Sequence, residues 1–324
     1  MYQLKNWRLK MGIKSKVSVI GVGNVGRVVA YSVAMQGLAH EVVLFGRNQD
    51  NARGQALDMN QAAAAMRSHS VVTVAESYED IKDSKIVVIT AGQPRKEGMS
   101  RDDLLIKNAE IVREITAQIK VHAPESIIIV VSNPLDVMTY VALKESGFPK
   151  QRVLGMAGIL DAARMTHFIQ EKLGYGAGQI RVSVIGGHGD TMVLLPRFTT
   201  VAGVPLHDLL SEDEVEVLVQ KTTHGGAEIV KYVGTSAYLA PGKSVAIMID
   251  AILKDTKTIF SCSTLLEGEY GYDGVVNGVP TMLGSNGGEK IIEFALDRCE
   301  KQQFSKSIES VENVIKTLHE KKFF

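Results

Sequence analysis

The stretch "KVSVIGVGNVGRVVAYSV", residues 16–33, decides the fold class. It begins with a run rich in β-branched residues and ends with apolar residues at helical spacing. Between the two lie Gly21, Gly23 and Gly26, in the order G-x-G-x-x-G. Gly21 permits a tight turn, Gly23 lets a pyrophosphate approach the backbone, and Gly26 lets the helix pack on the strand. This order predicts a phosphate site at the helix N-terminus; the alternative is a glycine-rich turn without a ligand.

The first half of the chain continues to alternate strand-like and helical runs. An Ala-rich helix follows the second strand, and a long helix ends at Pro124. Because βαβα alternation is typical of a doubly wound parallel sheet, the fold class is α/β. The predicted strands are residues 16–20, 41–45, 70–75, 85–90 and 126–132.

After about residue 155 the pattern becomes mixed, which predicts an α+β second domain. We expect residues 1–155 to form a dinucleotide-binding domain, with 1–15 as an N-terminal extension, and 156–324 to form a substrate domain. The elements expected in the second half are a helix from 161, a strand at 180–186, helices around 211–233, with a kink at Gly225-Gly226, and 240–255, and a C-terminal helix beginning near Ser305.

Composition argues against several classes of protein. The 324 residues carry 36 basic and 36 acidic side chains, so no net charge is present to attract nucleic acid or an anionic membrane. The sequence has no apolar run of the roughly 18 residues that a membrane span needs, and its basic N-terminus lacks the apolar core of a signal peptide. Cys262 and Cys299 are expected to be buried thiols, with no metal site. We therefore expect a cytoplasmic protein.

Polar side chains follow two of the predicted strands. The loop "AGQPRKEGMSRDD", residues 91–103, carries Arg95 and Arg101 together with Gly92 and Gly98 as hinges, which indicates a cationic lid over an anion; a solvated surface loop is the alternative. In "VSNPLD", residues 131–136, Asn133 could hydrogen-bond a ligand or cap the next helix.

The segments "ILDAARMTH" (159–167) and "VIGGHGDTM" (184–192) supply the titratable groups. Asp161 and Arg164 lie on one face of the predicted helix, and His188 lies among glycines that leave room for a ligand. A buried carboxylate beside a histidine fixes its tautomer and raises its pKa. Either Asp161 or Asp190 could be that carboxylate, and spacing does not choose between them.

Together, these motifs resemble those of the lactate/malate dehydrogenase family. The resemblance rests on "GVGNVG" (21–26), "PRKEGMSRDDLLIKNAEI" (94–111), "SNPLDVMTY" (132–140), "LDAARM" (160–165) and "GGHGD" (186–190), in this order. It covers the chain from about residue 16 onwards and is strongest to the lactate-dehydrogenase-like malate dehydrogenases of bacteria and archaea. It implies a Rossmann domain followed by the substrate domain, a role in the tricarboxylic acid cycle, and a homo-oligomer, a tetramer rather than a dimer.

The resemblance also implies a role for each site residue. His188 would exchange the proton of the substrate's C2 oxygen, Asp161 would orient it, and Arg101 would polarise the C2 carbonyl. Arg164 would bind the C1 carboxylate through two hydrogen bonds, which suits a planar guanidinium. Asn133 would bond the substrate hydroxyl or the nicotinamide side. The residues implied to bind the cofactor are Gly21, Gly23, Asn24, Val25, Gly26, Gly46, Arg47, Asn108 and Asn133.

Arg95 favours malate over lactate as the substrate. Malate dehydrogenases carry arginine at this lid position, whereas lactate dehydrogenases carry an uncharged residue such as glutamine. A second carboxylate, buried without a partner, would cost several kcal/mol, so the arginine selects a small dicarboxylate. Lactate or another 2-hydroxyacid is the alternative substrate. A nicotinamide-dependent glycosidase and a non-catalytic relative are less consistent with the His-Gly-Asp motif and the intact set of arginines.

The family pattern is modified in "EVVLFGRNQD", residues 41–50. An acidic residue that binds the ribose hydroxyls of NAD is expected after this strand, but Gly46 and Arg47 stand there. Gly46 removes the repulsion of a 2′-phosphate, and Arg47 can reach its charge. The sequence therefore favours NADP(H), with NAD(H) as a usable second cofactor. The alternatives are a glycine required only by the turn and a substitute acid, Asp50, although Asp50 is expected to belong to the next helix.

Overall fold

The computed structural model describes residues 15–93 and 100–324. The strands are β1 (Lys16–Ile20), β2 (Glu41–Phe45), β3 (Val71–Val74), β4 (Ile86–Ile89), β5 (Ile127–Val130), β6 (Val153–Gly155), β7 (Ile180–Arg181), β8 (Val184–Gly186), β9 (Met192–Leu194), β10 (Thr200–Val201), β11 (Val204–Pro205), β12 (Thr258–Glu267), β13 (Asp273–Gly284) and β14 (Gly287–Ile291). The helices are α1 (Asn24–Met35), α2 (Gln49–Ala65), α3 (Arg101–His122), α4 (Leu135–Ser146), α5 (Gly158–Leu173), α6 (Glu212–Val233), α7 (Leu239–Leu253) and α8 (Arg298–Glu320).

A parallel sheet forms the first half of the chain. Its strand order is β3-β2-β1-β4-β5-β6, and every neighbouring pair is parallel. The connections change direction between β1 and β4, which opens a crevice at the carboxyl ends of these two strands. The predicted α/β class and doubly wound parallel sheet are thus confirmed. β1 and β2 have the predicted bounds, and β3, β4 and β5 are shorter than predicted at their ends.

The second half is mixed α and β, as expected, but it also extends the first sheet. Strands β12, β13 and β14 join antiparallel at the β6 edge. The predicted strand 180–186 is wrong as a single element, because β7 pairs with β10 while β8 pairs with β9. Ser183 lies between β7 and β8 and bonds to the segment after β9. Its hydroxyl donates to the carbonyl of Phe198 at 2.9 Å.

One of the predicted helix bounds is also wrong. Helix α6 is continuous through Gly225 and Gly226, and the kink expected there stays a prediction. Helix α8 begins at Arg298 rather than near Ser305. Its start is fixed by a capping box, in which Asp297 accepts the N–H of Glu300 at 2.9 Å and Glu300 accepts the N–H of Asp297 at 2.8 Å.

The hydrophobic core joins the two halves of the chain. One cluster of buried side chains packs Ile128 of β5 with Phe304 of α8, and a second packs Val19 of β1 with Ile249 of α7. Apolar burial on both sides explains why β4 and β5 are uninterrupted apolar runs. None of the helices in the described ranges has both the length and the apolar content needed to cross a membrane.

The two cysteines differ in exposure. Cys262 lies in β12 and is completely buried, and this burial raises the pKa of its thiol to about 12. Cys299 is exposed in the first turn of α8, so the expectation that both thiols are buried is wrong for Cys299.

Candidate active site

The glycine turn between β1 and α1 has the geometry of a phosphate site. Gly21 has a φ of +104°, and a Cβ added there would lie 2.6 Å from the backbone nitrogen of Ala91. A Cβ on Gly26 would collide with the carbonyl oxygen of Gly21. Gly23, in contrast, has open space around it and begins α1 without a side-chain cap. The turn therefore needs two glycines for its own packing, while the third leaves room above the free N–H groups of Asn24 and Val25.

Thr90 is a part of this turn that the sequence reasoning missed. Its hydroxyl donates to the carbonyl of Gly21 at 2.6 Å, across the crevice between β1 and β4. A hydroxyl residue directly after an apolar strand, "KIVVIT", is the signal that could have identified it.

Gly46 lies at the carboxyl end of β2. Its φ lies outside the left-handed range, so the backbone angle at this position does not require a glycine. A Cβ added there would lie only 2.9 Å from Cγ2 of Val22. Arg47 is exposed and forms no hydrogen bond or ion pair with any described residue. Asp50 stands in the first turn of α2, 3.4 Å from Arg53. It is therefore part of the helix, as expected.

Asn108 and Asn133 lie in contact with each other. The side chain of Asn108 is buried, and its Nδ2 donates to the carbonyl of Asn133 at 2.9 Å. The N–H of Gln93 donates to its Oδ1 at 2.8 Å. Asn108 thus links the start of the lid loop to the segment after β5. Asn133 does not cap α4, because Pro134 is at that position and no side chain caps the helix. The capping alternative is excluded.

A cavity of about 670 Å³ lies beside these two asparagines. Its walls combine the glycine turn, the segment after β5, the first turns of α3, the last turns of α8 and the loop between α6 and α7. The lining includes Val25, Asn108, Asn133, Ser236 and Thr317. Ser236 lies in the cavity wall, between the end of α6 and the start of α7.

His188 is held by Asp161. The Nδ1 atom of His188, in the turn after β8, lies 3.0 Å from Oδ2 of Asp161 in α5. The side chain of Asp161 is only 1% exposed, whereas Asp190 is exposed to solvent. The structure therefore selects Asp161 as the carboxylate. Because a carboxylate accepts, Nδ1 carries the proton of the neutral ring, and Nε2 is left to act on a ligand.

Electrostatic interactions adapt His188 to proton transfer. Burial alone would lower the pKa of His188, but the negative charge of Asp161 and its hydrogen bond raise it. Asp136 also raises this pKa, and Arg164 lowers it. The net effect is a pKa above the ordinary value of 6.5. The contacts with Asp161 therefore favour the protonated ring, which can donate a proton to a ligand.

Arg164 shares the carboxylate of Asp161 with His188. Its Nη1 lies 3.0 Å from Oδ1 of Asp161. Nη2 and Nε have no hydrogen bond to a described residue, and they remain available to an anion. Gly226 of α6 packs against this guanidinium: a Cβ added there would lie 3.3 Å from Nη2. The glycine that the sequence suggested as a kink therefore provides space for the arginine.

Asp136 is a buried acid that the sequence reasoning missed. It lies in the first turn of α4, and its Oδ2 accepts the backbone N–H of His188 at 3.0 Å. Burial raises the pKa of Asp136 above its ordinary value, and the hydrogen bonds from Ser263 and from the N–H of His188 offset only part of this increase. A single acid among apolar residues in "LDVMTY" is the signal that could have identified it.

Two of the expected site residues are not located by the structure. Arg95 lies outside the described residues, and Arg101 is described only as the first residue of α3. Ser100 precedes it and caps the helix, since its hydroxyl accepts the N–H of Asp103 at 3.0 Å. In the described ranges, no group of three or more His, Cys, Asp or Glu side chains is arranged to hold a metal ion.

The chain matches two family models over nearly its whole length. The model described as "lactate/malate dehydrogenase, NAD binding domain" matches residues 15–155, and "lactate/malate dehydrogenase, alpha/beta C-terminal domain" matches residues 159–322. A malate dehydrogenase from Nitratiruptor sp. is 64% identical over 315 residues, which cover 97% of this chain and 99% of the relative.

Solved structures agree with this assignment. The malate dehydrogenase from Salinibacter ruber superposes with a TM-score of 0.90 at 46% identity, covering 94% of this chain and 98% of the other. The lactate dehydrogenase from Cryptosporidium parvum, solved with lactic acid and β-nicotinamide adenine dinucleotide, has a TM-score of 0.91 at 36% identity, covering 95% and 99%. The chain belongs to the lactate/malate dehydrogenase family.

Proposed function

We propose that this protein is a malate dehydrogenase that interconverts L-malate and oxaloacetate with a nicotinamide cofactor, preferring NADP(H) to NAD(H). The arrangement of His188, Asp161 and Arg164 carries this proposal, because it places a proton donor and a carboxylate-binding arginine on one buried acid. The high identity to bacterial malate dehydrogenases supports the substrate. The bound nicotinamide would accept the hydride of malate C2 or return it to oxaloacetate.

The residues of the chain supply the proton and the binding groups. In malate oxidation, Nε2 of His188 takes the proton of the C2 hydroxyl, and Asp161 stabilises the imidazolium that forms. In oxaloacetate reduction, the protonated ring returns this proton to the carbonyl oxygen. Arg164 binds the C1 carboxylate through the nitrogens that do not face Asp161. Asn133 orients the substrate hydroxyl or the nicotinamide side.

The two lid arginines complete the proposed site. Arg101, at the start of α3, would stabilise the negative charge that develops on the C2 oxygen. Arg95 would pair with the second carboxylate of a dicarboxylate substrate. Pyruvate lacks that carboxylate and would leave the arginine unpaired in a closed site, which disfavours lactate dehydrogenase activity.

The preference for NADP(H) rests on the carboxyl end of β2. Gly46 offers no carboxylate to the ribose hydroxyls, so a 2′-phosphate meets no repulsion there. Arg47, exposed and unpaired among the described residues, provides a positive charge beside the first turn of α2. The family model refers to NAD binding, and the Cryptosporidium lactate dehydrogenase was solved with that dinucleotide, so NAD(H) is proposed as the second cofactor.

Domain organisation and assembly complete the proposal. The first domain, residues 1–155, would bind the dinucleotide, and its first 15 residues would form an N-terminal extension. The second domain, residues 156–324, would bind the substrate. We propose a homotetramer located in the cytoplasm. Large apolar side chains are exposed on α1, α2, α3, α6 and α7, and contacts between subunits would cover them. They include Tyr31 of α1, Leu57 of α2, Tyr232 of α6 and Ile247 of α7. Native mass spectrometry measures the number of subunits, and a monomer contradicts this part of the proposal.

Steady-state kinetics test the proposed function. The purified protein is assayed with oxaloacetate and pyruvate side by side, each with NADPH and NADH. We expect kcat/KM for oxaloacetate to exceed that for pyruvate by about a thousandfold, and KM for NADPH to be lower than KM for NADH. A preference for pyruvate identifies a lactate dehydrogenase instead. An absence of nicotinamide oxidation with either substrate contradicts both activities.

A further inference from the structure

Asp136 is a buried carboxylate to which the proposed reaction assigns no role. Only 5% of this residue is exposed, and both of its carboxylate oxygens are used. Oδ2 accepts the backbone N–H of His188 at 3.0 Å, and Oδ1 accepts the hydroxyl of Ser263 at 2.6 Å. Asp136 lies in the first turn of α4, where the helix dipole favours a negative charge. It therefore connects α4 and β12 to the backbone of the histidine.

The turn that carries His188 is held at a second point. The N–H of Gly187 donates to the hydroxyl of Ser307 in α8 at 2.7 Å. Gly187 itself lies close to the acid, because a Cβ added there would be 3.1 Å from Oδ2 of Asp136 and 2.9 Å from Oγ1 of Thr191. A larger residue at 187 would therefore disturb the contact between Asp136 and the turn. Two consecutive N–H groups, those of Gly187 and His188, are fixed by side chains from different helices.

The ring and the backbone of His188 thus have separate supports. Asp161 holds the ring through Nδ1, and Asp136 holds the backbone through the N–H. If only the ring were held, rotation of the backbone could still displace Nε2, and a shift of about 1 Å can cost roughly a hundredfold in rate. The described groups whose charges act on the ring are Asp161 and Arg164 from α5 and Asp136 from α4.

We propose that Asp136 is a positioning residue for His188, which fixes the backbone of the histidine and stabilises its protonated ring through its negative charge. The catalytic part of this inference rests on the proposed function. Ser263 assists by holding the carboxylate of Asp136 in place. A carboxylate suits this position better than an amide, since both groups that face it are donors.

Asp136→Asn tests the proposal, because it keeps the size of the side chain and removes the charge. We expect kcat for oxaloacetate reduction to fall by about ten- to a hundredfold with little change in KM. As the pH rises, kcat of the Asp136→Asn variant should begin to decline at a lower pH than kcat of the wild type. Ser263→Ala, which keeps the charge of Asp136 but removes a hydrogen bond that holds its carboxylate, should show the same changes to a smaller extent, and it remains informative if Asp136→Asn does not fold.

Thr139→Val is the matched control. Thr139 lies one turn further along α4 and is buried. Among the described residues, its hydroxyl bonds only to the carbonyl of Leu135, at 2.9 Å. Its kcat and pH profile should equal those of the wild type. If Asp136→Asn lowers the melting temperature but leaves kcat and the pH profile unchanged, Asp136 is only a structural acid and the proposal is wrong.

A second readout does not depend on turnover. NMR titration of protein labelled at its histidines follows the protonation of His188 directly, with His188→Gln used to assign the signal. In Asp136→Asn, the ring should lose its proton at a lower pH than in the wild type, and an unchanged titration contradicts the role of the charge. If the wild type does not reduce oxaloacetate, the proposed function fails, while the titration still decides whether Asp136 acts on His188.

Discussion

His188 and Asp161 form a buried pair, in which Nδ1 of the histidine lies 3.0 Å from Oδ2 of the carboxylate. The other carboxylate oxygen binds Arg164 at the same distance, 3.0 Å. One acid therefore sets the positions of two groups, each of which acts on one substituent of the proposed reacting carbon, C2. His188 acts on the C2 oxygen, and Arg164 binds the C1 carboxylate. Because Asp161 holds both His188 and Arg164, we expect its replacement to change both kcat and KM, although its proposed role includes no contact with the substrate.

Asp161→Asn should lower kcat/KM for oxaloacetate by about a thousandfold. The amide keeps the size of the side chain but removes the charge that stabilises the imidazolium, and it loosens Arg164. Steady-state kinetics measure the loss. Asp190→Asn is the comparison, because it removes the exposed acid of the same turn and should leave the pH profile of His188 unchanged. A similar change of pH profile in both variants would contradict the assignment of Asp161.

The pH dependence of the two reaction directions should be opposite. Oxaloacetate reduction needs protonated His188, so its kcat/KM should fall by about tenfold per pH unit above the pKa of the ring. Malate oxidation needs the neutral ring, so its kcat/KM should fall below that pKa. Because the pKa of His188 is raised, both changes should occur above pH 6.5, the ordinary value. Initial rates in the two directions over a range of pH provide the measurement.

The same pKa shift affects stability. A histidine whose pKa is raised by folding stabilises the protein fully below its unfolded pKa, near 6.5. This contribution is lost as the pH rises through the folded-state pKa. Urea unfolding of wild type and His188→Gln should therefore differ most at acidic pH. A difference that grows with rising pH contradicts the direction of the shift.

The sequence predicts local features of this fold better than contacts between distant segments. The glycine turn and the parallel strands follow from spacing and periodicity, which are local. The bond between Asp136 and His188 joins residues separated by 52 positions, and only the packing of α4 against the β8–β9 turn brings them together. The start of α8 is also a local feature, because Asp297 and Glu300 have the spacing of a capping box. This spacing indicates a start at Arg298 rather than the predicted start near Ser305.

Gly226→Ala should weaken the binding of oxaloacetate. The new methyl group would lie 3.3 Å from Nη2 of Arg164, so the guanidinium must shift by a few tenths of an ångström. KM should therefore rise by up to about tenfold, the equivalent of roughly 1.4 kcal/mol. Gly225→Ala is a matched control, because its methyl group would meet Arg164 only at 3.9 Å. Both changes add about 1 kcal/mol of helix propensity to α6. Equal effects of the two on KM contradict the role given to Gly226.

Arg95→Gln should reduce kcat/KM for oxaloacetate by about a hundredfold or more and leave that for pyruvate nearly unchanged or raised. The change removes the partner of the second carboxylate without affecting the groups that bind C1 and C2. Lys96→Gln removes the neighbouring positive charge from the same loop and serves as the control. The ratio of the two kcat/KM values is the quantity to measure, and an unchanged ratio refutes the role of Arg95.

Gly46→Asp should reverse the cofactor preference, provided that the contact with Val22 is relieved. The Cβ of the new side chain would lie 2.9 Å from Cγ2 of Val22, so the change is made together with Val22→Ala. The carboxylate would accept hydrogen bonds from the ribose hydroxyls and repel a 2′-phosphate. We expect the ratio of kcat/KM for NADPH to that for NADH to fall by at least about tenfold, relative to Val22→Ala alone. Arg47→Ala should raise KM for NADPH and leave KM for NADH nearly unchanged. If the wild type strongly prefers NADH and Arg47→Ala alters neither KM, Gly46 and Arg47 do not select NADP(H).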